Sequence, residues 1–270
     1  MPRDTEERAL QIMALRTEAA ALDSVLNSQH RFGAWSADTQ QTPGNCFHTA
    51  LALIALRPFG ANPRVAHAAR RAFEWLDVTR GLENHWLWKW KFRFFDRHVR
   101  FDTARTGWPW IEGTISWVAP TAMTILAYRA WRRDTSRLPI AEAMLIDRAC
   151  PGGGWNAGNS EVFGVPLDPH VDFTAMALLA LRPSPRGDAA VIREALTYLS
   201  GRASGLSSIY SMAWAAMALS AWKDRAADRL MRRLEERLHE TDIDNLPVRA
   251  MSLAALALEK PPYLFQGGQR

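Results

Sequence analysis

Three groups of residues in this 270-residue chain have types and spacings that could do chemistry. The first is Trp86-Leu87-Trp88-Lys89-Trp90-Lys91-Phe92-Arg93-Phe94-Phe95, where aromatics alternate with Lys89, Lys91 and Arg93. A period of two predicts a strand with one aromatic and one basic face. Its aromatics could line a cavity while Lys89, Lys91, Arg93, Arg97 and Arg100 meet a phosphate. A plain structural hairpin, with His98 to Phe101 as the returning strand, accounts for the same pattern. Asp96, His98, Asp102 and Glu112 would then lock it through hydrogen bonds. The second group is Cys46-Phe47-His48, the one close Cys/His pair. Two ligands at a helix start can share a metal only with help from elsewhere, so no metal and no cofactor is expected. The third is His170-Val171-Asp172-Phe173, at the head of an apolar segment. An Asp there can cap the helix or pair with the neighbouring His. There is no Asp-rich magnesium motif and no phosphate loop.

Composition narrows the setting for these residues. The chain is 48% apolar, enough for a full core, and its 12 Trp are well above ordinary usage. A formal charge of +5 suits an anionic ligand or a membrane surface, so peripheral membrane contact is compatible with it. It is too small to signal nucleic acid, which is not expected as a partner. Cys46 and Cys150 are the only cysteines, too few and too distant for a disulfide framework or a zinc ribbon. The first ten residues lack the apolar core of a signal peptide, and no run of about 18 apolar residues exists. A cytoplasmic location is expected.

A repeat supplies the elements that must position the candidates. Ala50-Leu51-Ala52-Leu53-Ile54-Ala55-Leu56 returns in similar form from Ala122, Ala175, Ala213 and Ala250. The gaps between these anchors are 72, 53, 38 and 37 residues, the last two near-equal as stacked helix pairs require. Each phrase is apolar nearly all round, which predicts a helix buried on every face. Between them lie amphipathic segments at 63–78, 140–149, 188–200 and 223–240, polar on one side. Alternating buried and half-exposed helices predict two concentric layers, with inner helices starting near 45, 118, 171, 207 and 246. An open solenoid of helix pairs is the competing arrangement. Arg57-Pro58 and Arg182-Pro183 stop two inner helices at the same register.

Three inner helices are preceded by a Gly-Trp turn: Gly33-Ala34-Trp35, Gly107-Trp108-Pro109-Trp110 and Gly153-Gly154-Trp155-Asn156. Each turn leads to a Thr-Ala helix: Thr49-Ala50, Thr121-Ala122, and Thr174-Ala175-Met176-Ala177-Leu178-Leu179-Ala180-Leu181. In this the chain resembles the squalene-cyclase/prenyltransferase repeat family over about residues 24 to 258, and most resembles its short bacterial prenyltransferase-like members. The resemblance implies an all-α fold: one α/α toroid over residues 1–270 with about five or six helix pairs, interrupted by the aromatic-basic insertion at 84–113. It implies an isoprenoid ligand in an apolar central pocket lined by Trp88, Trp90, Trp110, Trp117 and Phe173, with Lys89, Lys91 and Arg93 for a diphosphate.

The family's class II cyclases protonate an alkene with the middle Asp of Asp-x-Asp-Asp-Thr-Ala. Ungapped alignment on Thr174-Ala175 puts Asp172 on the acid position, with His170 and Phe173 replacing the two other acids. The resemblance therefore implies Asp172 as proton donor tuned by His170. The two replacements leave an alternative, a catalytically silent toroid that binds an isoprenoid or a protein partner.

Overall fold

A computed structural model describes residues 4–15, 19–38, 42–87, 101–182, 189–242 and 245–259. These contain eleven α-helices: α1 (Thr5–Leu15), α2 (Ala19–Asn27), α3 (Cys46–Leu56), α4 (Pro63–Val78), α5 (Val118–Ala130), α6 (Leu138–Asp147), α7 (Val171–Leu181), α8 (Ala189–Arg202), α9 (Ile209–Ala221), α10 (Ala226–Glu240) and α11 (Val248–Glu259). The odd-numbered helices pack side by side in sequence order, and α11 returns to α1, so the inner ring closes. The even-numbered helices lie outside, each against the inner helix that precedes it. This is the α/α toroid that the repeat predicts.

Residue pattern explains which helix takes which layer. In α3, α7 and α9 nearly every position after the first turn is buried, because neighbours cover all sides. In α4 the buried set is Val65, Ala68, Ala69, Ala72, Phe73 and Leu76, one stripe at helical spacing. In α10 it is Ala227, Leu230, Met231 and Leu234, with charged residues on the other side.

The Gly-Trp turns build the same clamp three times. The N–H of Trp35, Trp108 and Trp155 donates to the hydroxyl of Thr49, Thr121 and Thr174, each at 2.9 Å. Each indole N–H reaches back to the outer layer or its approach: Trp35 to the Val25 carbonyl (2.8 Å), Trp108 to Leu76 (2.9 Å) and Trp155 to Leu145 (2.6 Å). All three Trp are fully buried. In the first and third turns the chain presses against an outer helix at a glycine; in the second, Thr106 holds that place and Gly107 packs on Thr121 of α5. Gly153 has φ +80°, and a Cβ there would stand 2.7 Å from the Glu194 carbonyl oxygen of α8. Gly33, two residues before Trp35, meets Arg71 of α4 in the same way. At the other end of the ring the indoles of Trp131 and Trp222 donate to the carbonyls of Leu53 and Leu178, tying each inner helix to the one before it (2.7 and 2.9 Å).

Three features depart from the sequence reading. α1 is a sixth inner helix, filling the gap between α11 and α3. The strand expected from Trp86 does not begin there, since Trp86 and Leu87 are helical; the rest of that alternation, residues 88–100, lies outside the described residues. The base of the insertion is held by Leu82 N–H to the Thr114 carbonyl (3.0 Å) and by the buried Glu83 carboxylate, which accepts from the N–H and hydroxyl of Ser116. A short hairpin pairs Glu161–Val162 with Val165–Pro166 in the loop before α7. No helix among the described residues is long and apolar enough to cross a membrane.

Candidate functional site

The starts of the inner helices are tied together around one rim. Thr5 N–H, heading α1, donates to the Ala37 carbonyl before α3 (2.8 Å). Cys46 N–H, heading α3, donates to the Trp110 carbonyl before α5 (3.0 Å), and Val118 N–H, heading α5, to the Ala157 carbonyl before α7 (2.9 Å). The Tyr210 hydroxyl of α9 donates to Glu6 Oε1 of α1 (3.0 Å), joining first turns that stand on opposite sides of α11.

Helix spacing then selects one rim residue per inner helix. Residues i, i+4 and i+7 share a helix face. The cavity at the centre of the ring is lined by Leu10, Met13, Leu51, Ile54, Met123, Leu126, Ala130, Leu179, Trp214, Met217, Leu253 and Leu256. One or two turns nearer the rim, the same stripes begin at Glu6, Phe47, Ala119, Asp172, Tyr210 and Arg249. Below this mouth the apolar side chains nearly fill the centre, leaving a cavity of ≈ 30 Å³, about the space of one water molecule. A drug-sized ligand needs roughly 300 Å³ or more. The centre of the ring, as the described residues line it, is therefore too small for such a ligand. Trp110, Trp117 and Phe173 are half-buried but do not line the cavity. Leu, Ile and Met from all six inner helices occupy that space instead. Trp110 packs on Phe47 (ring centroids 5.0 Å apart) and Phe173 on His170 (5.6 Å). Trp88, Trp90, Lys89, Lys91 and Arg93 lie outside the described residues.

Beside the rim, where α1, α9, α10 and α11 meet, is an open cleft of ≈ 580 Å³. Glu6, Tyr210 and Arg249 of the rim line it, together with Ser207, Ser208, Arg237 and Thr241 and the apolar Ile209, Leu246, Pro247 and Ala250.

Burial dominates the electrostatics of the mouth. It pushes the Asp172 carboxyl above its ordinary pKa, against the opposing pull of the Ser211 hydroxyl and His170. Asp172 Oδ1 is buried without a hydrogen-bond partner among the described residues. Burial also raises Glu6, against the Tyr210 hydroxyl and Arg249, and raises Tyr210 itself. The His48 ring is pushed down to about 4 by burial and is neutral at pH 7, and its Nδ1 is likewise without a partner. Cys46 is buried and its thiol pushed upward, which holds it in the protonated form. His170 is the exposed N-cap residue of α7 and makes no capping bond with its side chain. Chemically, the mouth offers a carboxyl held toward its protonated form on an inward-facing stripe. Burial keeps the proton in place but weakens the acid, and alkene protonation demands a strong one.

Sequence reasoning missed Glu6, Tyr210 and Arg249. Tyr210 was readable: it stands three residues before Ala213, as Asp172 does before Ala175. Arg249 was obscured because the anchor of α11 is Ser252, two residues beyond Ala250. This register brings Leu253 and Leu256 onto the cavity.

No protein-family model and no curated protein matches the sequence. Solved structures do match the fold. The ent-copalyl diphosphate synthase from Streptomyces platensis aligns at TM-score 0.59 and 18% identity over 95% of this chain and 50% of that one. The type II terpene cyclase MstE from Scytonema aligns at TM-score 0.56 and 14% identity over 96% of this chain and 88% of that one. Salmonella alpha-2-macroglobulin aligns at TM-score 0.54 and 15% identity over 96% of this chain and 16% of that one. The chain thus spans half the length of the synthase and a small part of the macroglobulin. At these identities the likeness defines the fold: an α/α toroid of the kind found in terpene cyclases. That a macroglobulin shares it shows that the fold alone does not fix an activity.

Proposed function

We propose that this chain is a terpene cyclase-like protein of the isoprenoid class, working at the mouth of the inner ring, with Asp172 as proton donor. The observation that carries the reading is the Asp172 carboxyl, on the inward stripe of α7, kept toward its protonated form by burial and with Oδ1 without a hydrogen-bond partner among the described residues. Such a group keeps its proton available to a molecule at the mouth. His170 favours the charged form and so strengthens the acid. The π faces of Phe47, Tyr210 and Trp214 suit a carbocation. The ≈ 580 Å³ cleft supplies the room that the centre lacks. Exposed Phe32, Ile111, Phe163 and Val165 lie in the connections that lead into inner helices, a placement that supports contact of this end with a membrane surface.

A second reading is a catalytically silent toroid that binds an isoprenoid or a protein partner. The ≈ 30 Å³ centre favours it. The test is incubation with farnesyl diphosphate, geranylgeranyl diphosphate and squalene, with product analysis for wild type and Asp172→Asn. Cyclised product from wild type and its loss in the variant are expected. Equal turnover by both removes Asp172 from the mechanism, and retention of a polyprenyl ligand without turnover selects the silent toroid.

A further inference from the structure

The cleft beside the mouth has a charge pattern that proton donation does not use. It opens where two inner helices begin. Ser207 and Ser208 lead into α9, and Leu246 and Pro247 lead into α11. The first N–H groups of a helix have no intrahelical partner, and the helix dipole is positive there. In α9 the one side-chain cap is a long contact, Ser211 N–H to Ser208 Oγ at 3.4 Å.

Two guanidinium groups face the same space. Arg237, at the end of α10, is half exposed and held by a 3.4 Å contact with the still more exposed Glu240. Arg249, in the first turn of α11, is exposed and makes no hydrogen bond or ion pair with any described side chain. Thr241 donates its hydroxyl to the Arg237 carbonyl (2.7 Å), which leaves its lone pairs to accept, while Ser207 adds a second hydroxyl to the lining. Among the described residues that line the cleft, one carboxylate opposes them. Glu6 lines the cleft, but the Tyr210 hydroxyl donates to it and Arg249 stands opposite.

We propose that this cleft binds a phosphate-type anion through Arg237, Arg249 and the starts of α9 and α11. Arginine pairs with phosphate oxygens in a bidentate fork, and helix starts present N–H groups to the same kind of group. Glu6, Tyr210 and Arg249 belong to both the cleft and the mouth, so an anionic head held here leaves an attached chain directed toward Asp172. That last link rests on the mouth being the reacting face; the anion site itself does not.

The test is calorimetric titration of the full chain with inorganic pyrophosphate and, separately, inorganic phosphate. Wild type should bind pyrophosphate saturably, more weakly as salt rises. Arg237→Gln/Arg249→Gln should weaken binding at least about tenfold. Arg237→Lys/Arg249→Lys, which keeps the charge and loses the fork, should fall between. Both arginines are exposed, so thermal unfolding should be unchanged in either variant. If the Gln pair disturbs folding, the Lys pair carries the test. Sedimentation with vesicles containing phosphatidic acid separates the sources of the anion: vesicle binding that needs the arginines, with no pyrophosphate binding, assigns the cleft to a lipid phosphate. Absence of binding to either probe, or equal pyrophosphate affinity in the Gln variant, overturns the inference. Asp172→Asn should leave pyrophosphate affinity unchanged. Turnover without binding of pyrophosphate or of phosphatidic acid vesicles would sink this inference and leave the Asp172 reading standing; binding without turnover would do the reverse.

Discussion

Replacing Thr121 by Val removes one hydroxyl while keeping the shape of a fully buried side chain. Thr121 Oγ1 accepts from Trp108 N–H at 2.9 Å and donates to the Trp108 carbonyl at 3.3 Å. The carbonyl keeps a second donor, Trp117 N–H at 3.2 Å, but the Trp108 N–H loses its acceptor in a site closed to water. An orphaned buried amide costs about 1–3 kcal/mol. The methyl that replaces the hydroxyl offsets part of this, so the net loss should be about 2 kcal/mol. For a chain of this size that lowers Tm by roughly 4–8 °C. Thr121→Ser keeps the hydroxyl and loses one methyl, at about 1 kcal/mol. Val should therefore be the worse substitution although it conserves volume better. Urea denaturation of both variants at unchanged m-value measures the difference. A Val variant as stable as the Ser variant would refute the clamp as a hydrogen-bonding device and leave it a packing motif. The same order is expected at Thr49 and Thr174, whose carbonyl partners Trp35 and Trp155 also keep a second donor, from Asn45 and His170.

Stability should also depend on pH through His48. Its folded ring resists protonation down to about pH 4, whereas the unfolded ring protonates near the ordinary value of 6.5. The unfolded state then binds more protons, so stability is complete above pH 6.5 and falls as pH drops toward 4; His48→Gln should flatten that part of a Tm-against-pH curve. Gly153→Ala combines a left-handed φ with a Cβ 2.7 Å from the Glu194 carbonyl oxygen. It should cost about 1–3 kcal/mol in denaturant, more than Ala at the open position Gly201. Leu10→Ala removes a side chain that is 1% exposed in the helix that closes the ring. A loss of about 2–5 kcal/mol is expected, and a loss under 0.5 kcal/mol, the scale of a surface change, would show that α1 does not hold the ring shut.

The repeat phrases were legible because a helix apolar on every side has only one place to go. Inner helices expected near 45, 118, 171, 207 and 246 begin at Cys46, Val118, Val171, Ile209 and Val248. The amphipathic segments likewise carried their own address in the outer layer. α1 did not. Its first turn holds Glu6, Glu7 and Arg8, and nothing local distinguishes it from a surface helix. Its burial comes from α11 and α3, the last and the second inner helices of the ring. Asp172 could be found by its place in the repeat, but its neighbours could not. Tyr210 and Glu6 meet across 204 residues of sequence, and only closure of the ring brings them together. Whether the centre holds a ligand or is packed solid depends on how Leu10, Met13, Ile54, Met123, Leu179, Met217 and Leu256 interdigitate. Volume is a property of six helices at once, and hydrophobic periodicity along a single helix carries no information about it.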